Sequence, residues 1–199
     1  MFEILKGLDY TPFLVSLKLA SLTTFALFII CVPLAFFMAR KNFRGKSVIE
    51  SIISLPLVLP PSVLGFYLLV FLSPYSVLGE FFDKHFGLRL VFNFSGLVIA
   101  SCIYSLPFMF SPLVSGFRSL PRSLFWACDS LDKSYFSKLF RVALPAIRHS
   151  LLSALVICFA HTMGEFGVVL MIGGSVSEQT KVASIAIYEA TETLDFAQA

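Results

Sequence analysis

The chain is written in long apolar runs separated by short polar islands. Phe13 to Ala39 carries one charge, Lys18; Ser51 to Gly79 and Leu90 to Phe117 carry none; His149 to Ser177 carries only Glu165 besides its histidines. Each run exceeds the roughly 20 residues that a helix needs to cross a bilayer's hydrocarbon core. The pattern therefore predicts four spanning helices, over about 13–39, 51–72, 95–115 and 150–172, in one membrane domain covering residues 1–199. A soluble chain of this length could not wrap four such helices in polar material. The first run is no cleaved signal core, because it is too long and Glu3 and Asp9 accompany Lys6 ahead of it.

The polar islands have their own periodicity. Within the loop of about 118–148, Phe136, Leu139, Phe140 and Ala143 recur at helical spacing while Lys138 and Arg141 lie off that stripe, which predicts an amphipathic helix ended by Leu144-Pro145. Such a helix could also lie in the lipid interface. Residues 73–94 read as a loop with an interfacial helical stretch, and Gly173-Gly174-Ser175 closes the fourth run. Phe196 to Ala199 reads as the first turn of a further helix.

Composition agrees: 57% of residues are hydrophobic, and only 14% are charged against about 25% in ordinary globular chains. Lys and Arg are retained in cytoplasmic loops. Arg40, Lys41, Arg44 and Lys46 follow the first span, and Arg118, Arg122, Lys133, Lys138, Arg141 and Arg148 follow the third. Both loops are thus expected inside the cell and the N-terminus outside. The net charge of +3 reflects this asymmetry and implies no nucleic-acid surface. Cys31, Cys102 and Cys158 fall within spans and Cys128 in the loop, which implies neither a disulfide nor a zinc site.

Candidate chemistry is sparse. Arg44-Gly45-Lys46-Ser47 ends like a phosphate-binding loop, but the required earlier glycine is replaced by Arg40 and no strand precedes it. No nucleophile with a base and no metal-ligand set stands at workable spacing, so no catalytic residue, metal or cofactor is expected in this chain. An ionisable side chain at membrane depth costs roughly 2.5–3.5 kcal/mol on insertion scales and faces protein or water. Glu165 is therefore expected to point inward, either beside a transport path, or as a structural group paired with His161 or capping a broken helix. Ala160, Gly164 and Gly167 offer a small-residue surface for close helix approach. Pro60 and Pro61, with Pro56 before and Gly65 after, break the backbone of the second span, and Pro107 and Pro112 weaken the third. Broken backbone at that depth is tolerated where it is buried or lines a cavity, so Pro60, Pro61, Gly65, Gly164, Glu165 and Gly167 are candidates for a path or gate.

Together these stretches resemble the membrane subunit of a binding-protein-dependent ABC importer, most closely the molybdate permease branch. That family has a cytoplasmic loop of the form E-A-A-x-x-x-G-x(9)-I-x-L-P. Trp126, Ala127 and Cys128 occupy its E-A-A positions, Asp132 its Gly, Val142 its Ile, and Leu144-Pro145 its close. Trp, Cys and Asp depart from the signature, and Asp accepts a positive φ less readily than Gly. LPLVLPPSVLGFYLL, SGLVIASCIYSLPFM, GEFGVVLMIGG and QTKVASIAIYEA resemble the same branch in wording and order, and the likeness runs from about Leu17 onward.

The resemblance implies an all-α polytopic fold of the type I importer permease kind, with a fifth span expected after Asp195 and missing here. It implies a homodimer with a second permease copy, two cytoplasmic ATPase subunits holding ATP and Mg, an external oxyanion-binding protein, and a lipid bilayer that is a bacterial inner membrane. ATPase coupling is expected at Trp126, Ala127, Cys128, Asp132, Phe136, Leu139, Phe140, Arg141, Leu144 and Pro145. The cargo implied is molybdate, with tungstate or sulfate as alternatives. A stand-alone secondary transporter or channel would need coupling carboxylates in several spans, where Glu165 is the one available; an intramembrane enzyme lacks its constellation.

Overall fold

A computed structural model of the chain describes residues 9–194, and every regular element among them is helical. The expected helical start at 196–199 lies outside the described residues. The first helix, α1 (Thr11–Arg40), begins where the Asp9 Oδ1 accepts the Thr11 amide at 2.9 Å, and ends with Arg40 in its last turn and Lys41 extended. Its 30 residues reach about 45 Å, longer than the hydrocarbon core.

The second apolar run is two helices: α2 (Lys46–Val58) and α3 (Pro61–Leu72) meet at 112° across Leu59 and Pro60. Pro60 and Pro61 remove the two amides that would have bonded the carbonyls of Pro56 and Leu57, so the ladder stops there. Pro61 then opens α3 from a first-turn position, where its missing donor costs nothing. On the far side, α4 (Val77–Phe86) is capped by the Ser76 hydroxyl, which accepts the Gly79 amide at 2.9 Å.

The long α5 (Phe94–Ser119) starts at Asn93, whose side chain accepts the Ser95 amide, and carries Pro107 and Pro112 within it. The loop after it folds as α6 (Arg122–Ser130) and α7 (Tyr135–Ala146), the latter containing a wide π turn over Lys138–Ala143. Helix α8 (Arg148–Gly164) leaves α7 at 83°. The fourth run does not continue straight: Glu165 and Phe166 interrupt it before α9 (Gly167–Gly173). Finally α10 (Ala183–Glu192) packs back on α1.

By length and composition α1 and α5 can each cross a membrane alone, and up to four spans result if each bent pair, α2 with α3 and α7 with α8, counts as one. Helix α1 lies along both α5 and α8. Two cores stack along this bundle. One gathers Met38, Phe117, Phe125, Leu139 and Ile147; the other gathers Leu19, Leu68, Leu97, Val168 and Ile185. The first brings the end of α1, the end of α5 and the loop together, so both basic loops lie at one end of the molecule. Large apolar side chains cover the outside, among them Phe25, Val58, Tyr67 and Leu152, as a chain solvated by lipid requires.

Candidate functional site

Two regions hold the residues that the sequence singled out. The first is the loop at the basic end. Helix α6 closes in a Schellman turn: the Lys133 amide donates to the Cys128 carbonyl at 3.1 Å and the Asp132 amide to the Asp129 carbonyl at 3.0 Å. Asp132 sits at the left-handed position of that turn with φ +46°, where glycine is the usual residue. The Ser134 hydroxyl then caps α7 by accepting the Ser137 amide, and Lys138 pairs with Asp129 across the hairpin.

The amphipathic stripe divides. Leu139 and Ala143 are fully buried in the core, whereas Phe136 and Phe140 are 66% and 52% exposed and stack with planes 9° apart and centroids 6.4 Å apart. A recess of about 560 Å³ opens beside them, bounded by Leu131, Lys133 and Arg141. Trp126, Ala127 and Asp132 also face outward, Cys128 is buried, Leu144 is half-buried and Pro145 exposed. The hairpin is anchored to the bundle rather than lying loose. The Tyr135 hydroxyl donates to the Pro33 carbonyl of α1 at 3.2 Å, and Phe125 is buried under the Arg40 guanidinium, 3.6 Å from its ring centroid.

The second region joins the halves of the two broken runs that lie away from the basic end. Helix α3 lies on α9 so closely that a Cβ on Gly167 would stand 2.8 Å from the Pro61 Cβ, and one on Gly65 2.9 Å from the Met171 Cβ. Pro61, Gly65 and Gly167 thus come together in one contact, with Pro60 at the bend above it. Gly164 does not join them: it is exposed and nothing lies within 4 Å of a Cβ built there.

Glu165 is buried at the break and works as a cap. Its Oε1 accepts the Val168 amide at 2.9 Å, with the Phe166 and Gly167 amides also turned toward the carboxyl group. Of the alternatives open in the sequence, the pairing with His161 is not made. The His161 ring stacks on Phe108 with centroids 3.8 Å apart, and its Nε2 is buried without a partner. The break is further tied down by α10: the Ser184 hydroxyl donates to the Glu165 carbonyl at 2.7 Å, and the Ala183 amide donates to the Ser16 hydroxyl of α1 at 2.8 Å. Nearby, the Lys181 ammonium hydrogen-bonded to Glu189 holds that carboxyl below its ordinary range.

Among the cross-bundle contacts that sequence reasoning missed is the ion pair of Glu50 on α2 with Arg118 on α5. Glu50 precedes the second run by one residue and Arg118 follows the third by one, which was the available signal.

The sequence is similar to known proteins over most of its length. The chain is similar to the molybdenum transport system permease protein ModB of Azotobacter vinelandii, 41% identical over 192 residues, 96% of this chain and 84% of that protein. It is 33% identical to the ModB of Haemophilus influenzae over 166 residues, 81% and 72% of the two chains. The sulfate transport system permease protein CysW of Synechococcus elongatus is 29% identical over 156 residues, 78% and 54% of the two chains. The pattern of the binding-protein-dependent transport system inner membrane component family matches residues 31–197, a stretch that takes in both broken runs and the whole loop, and the chain belongs to that family.

Proposed function

We propose that this chain is the permease subunit of an ATP-driven importer for a tetrahedral oxyanion, molybdate, delivered by an external binding protein. One observation carries the reading: the likeness to a molybdenum permease extends over 96% of the chain, spans, breaks and loop included. The basic end faces the cytoplasm and the N-terminus faces out. Two copies enclose the path, and two ATPase subunits holding ATP and Mg seat against the hairpin of α6 and α7.

The geometry supports a transmission role for that hairpin. Phe136 and Phe140 form an exposed apolar knob, while Leu139, Ala143 and Tyr135 couple the same helix to the bundle. A push on the knob reaches α1 at Pro33 and α8 through the 83° joint, so closure of the ATPases rocks rigid elements between two states. The chain contributes this two-state element and leaves ATP chemistry to its partner.

Reconstitution of the chain with its ATPase and loaded binding protein in liposomes tests the reading. Molybdate should accumulate only with ATP, and the purified chain alone should hydrolyse none. Uptake without the ATPase would replace the importer by a secondary transporter, and sulfate outcompeting molybdate at equal concentration would reassign the cargo.

A further inference from the structure

The Glu50–Arg118 pair has features that stability does not explain. Among the ion pairs of the described residues it alone joins two spanning helices; the others lie within one turn, one loop or one end segment. Its side chains keep 30% and 45% of their surface, and an ion pair so exposed adds little to folding. The pair itself lines a cleft of about 230 Å³ between α2 and α5, together with Ser54, Ser111 and Ser115 and the buried Phe110 and Val114. Three hydroxyls therefore share one cleft with a single cation, the Arg118 guanidinium, whose charge Glu50 offsets while the two are paired.

The helix carrying Glu50 is also lightly held. Of the 13 residues of α2, only Ile53 and Pro56 are buried. Its continuation α3 is clamped on α9 through Gly65 and Gly167, so the bend at Leu59 and Pro60 is where α2 can turn against a fixed neighbour. Swinging α2 outward separates Glu50 from Arg118 and opens the cleft in one movement.

We propose that Arg118 is an exchange site for the transported oxyanion, bound by Glu50 when the cleft is closed and by the oxyanion when α2 opens. The proposal rests on the importer reading given above. A guanidinium presents the same two-pronged donor face to a carboxylate and to two oxygens of a tetrahedral oxyanion. Glu50 is therefore a built-in competitor that empties the site when the cleft recloses. The inside-negative membrane potential opposes entry of a dianion, and a cation fixed at the inner mouth lowers the last part of that barrier.

The test is equilibrium dialysis of molybdate against the nucleotide-free complex of permease and ATPase. Glu50→Gln should tighten binding about tenfold, and Arg118→Gln should weaken it at least tenfold, as loss of a competing or a binding charged hydrogen bond dictates. Equal changes in both variants, or none in either, would mark a merely structural pair and overturn the site. If Arg118→Gln does not assemble, Arg118→Lys keeps the charge but lacks the fork and should still weaken binding severalfold; unchanged binding there overturns the proposal equally. Measurement in maltoside and again in phosphatidylglycerol nanodiscs separates a soluble oxyanion from a lipid phosphate: binding abolished in nanodiscs assigns Arg118 to lipid and overturns it. Failure of ATP-driven uptake by the unaltered complex would sink the importer itself, whereas symmetrical variants with uptake intact would sink only this site.

Discussion

Asp132 holds a left-handed φ of +46° that a Cβ disfavours, and the two hydrogen bonds of the Schellman turn keep it there. Asp tolerates this region better than most side chains, and a β-branched residue does not. Asp132→Val should therefore lower stability by about 1–2 kcal/mol, read as an earlier thermal unfolding midpoint, whereas Asp132→Gly should not lower it. A midpoint unmoved by Val would show that the turn relaxes freely. Gly65 and Gly167 set a second comparison. A methyl at either meets backbone or Cβ atoms at 2.8–3.1 Å, so Gly167→Ala or Gly65→Ala should cost about 1–3 kcal/mol, while Gly164→Ala, with open space around it, should cost the folded chain almost nothing. The need for small residues near these breaks was legible in the sequence, because glycine and proline announce backbone that cannot be ordinary helix. Which glycine makes the contact was not, since Gly164 and Gly167 differ only in the side of the break on which they fall. Glu165 was legible as an inward-facing charge; its choice between a cap and a partnership with His161 depends on a change of chain direction one residue after Gly164.

Longer pieces of chain follow the same division. The runs that became α1 and α5 were readable because unbroken apolar sequence leaves a helix no alternative within a membrane. The prolines of the second run foretold a weakened helix, but the 112° bend comes from the seat of α3 on α9, a contact between residues about a hundred positions apart. The π turn in α7 likewise has no composition signal, yet it sets Leu139 and Ala143 inward while Phe136 and Phe140 stay outside. That division makes a sharp expectation for α7 as the proposed docking element. Phe136→Asp and Phe140→Asp, changed on an exposed face, should reduce capture of the ATPase subunit by at least tenfold in a pull-down with the permease still folded. Leu139→Asp should instead unfold the chain, because it buries a charge with no partner. Capture unchanged in both phenylalanine variants would place the ATPase elsewhere on the basic end.

The proposed mechanism needs one orientation of the whole molecule, and the distribution of charge makes it an expectation. Ten of the 15 Lys and Arg residues sit in or beside the two loops that the packing of Met38, Phe117, Phe125 and Ile147 gathers at one end, and under the proposed reading the positive-inside rule assigns that end to the cytoplasm. The proposed docking of ATP-hydrolysing subunits on Phe136 and Phe140 requires that assignment. Single cysteines introduced after replacement of the four native ones test this directly. Leu131→Cys lies on the hairpin turn and Tyr75→Cys before α4 at the opposite end, 68% and 98% exposed in the native residues. In intact spheroplasts a membrane-impermeant maleimide should label Tyr75→Cys at once and Leu131→Cys only after permeabilisation. The reverse order would put the hairpin outside the cell, away from any ATP, and with it would fall the coupling role of α7 and the cytoplasmic exit at Arg118 together, because both require the basic end to be the inner one.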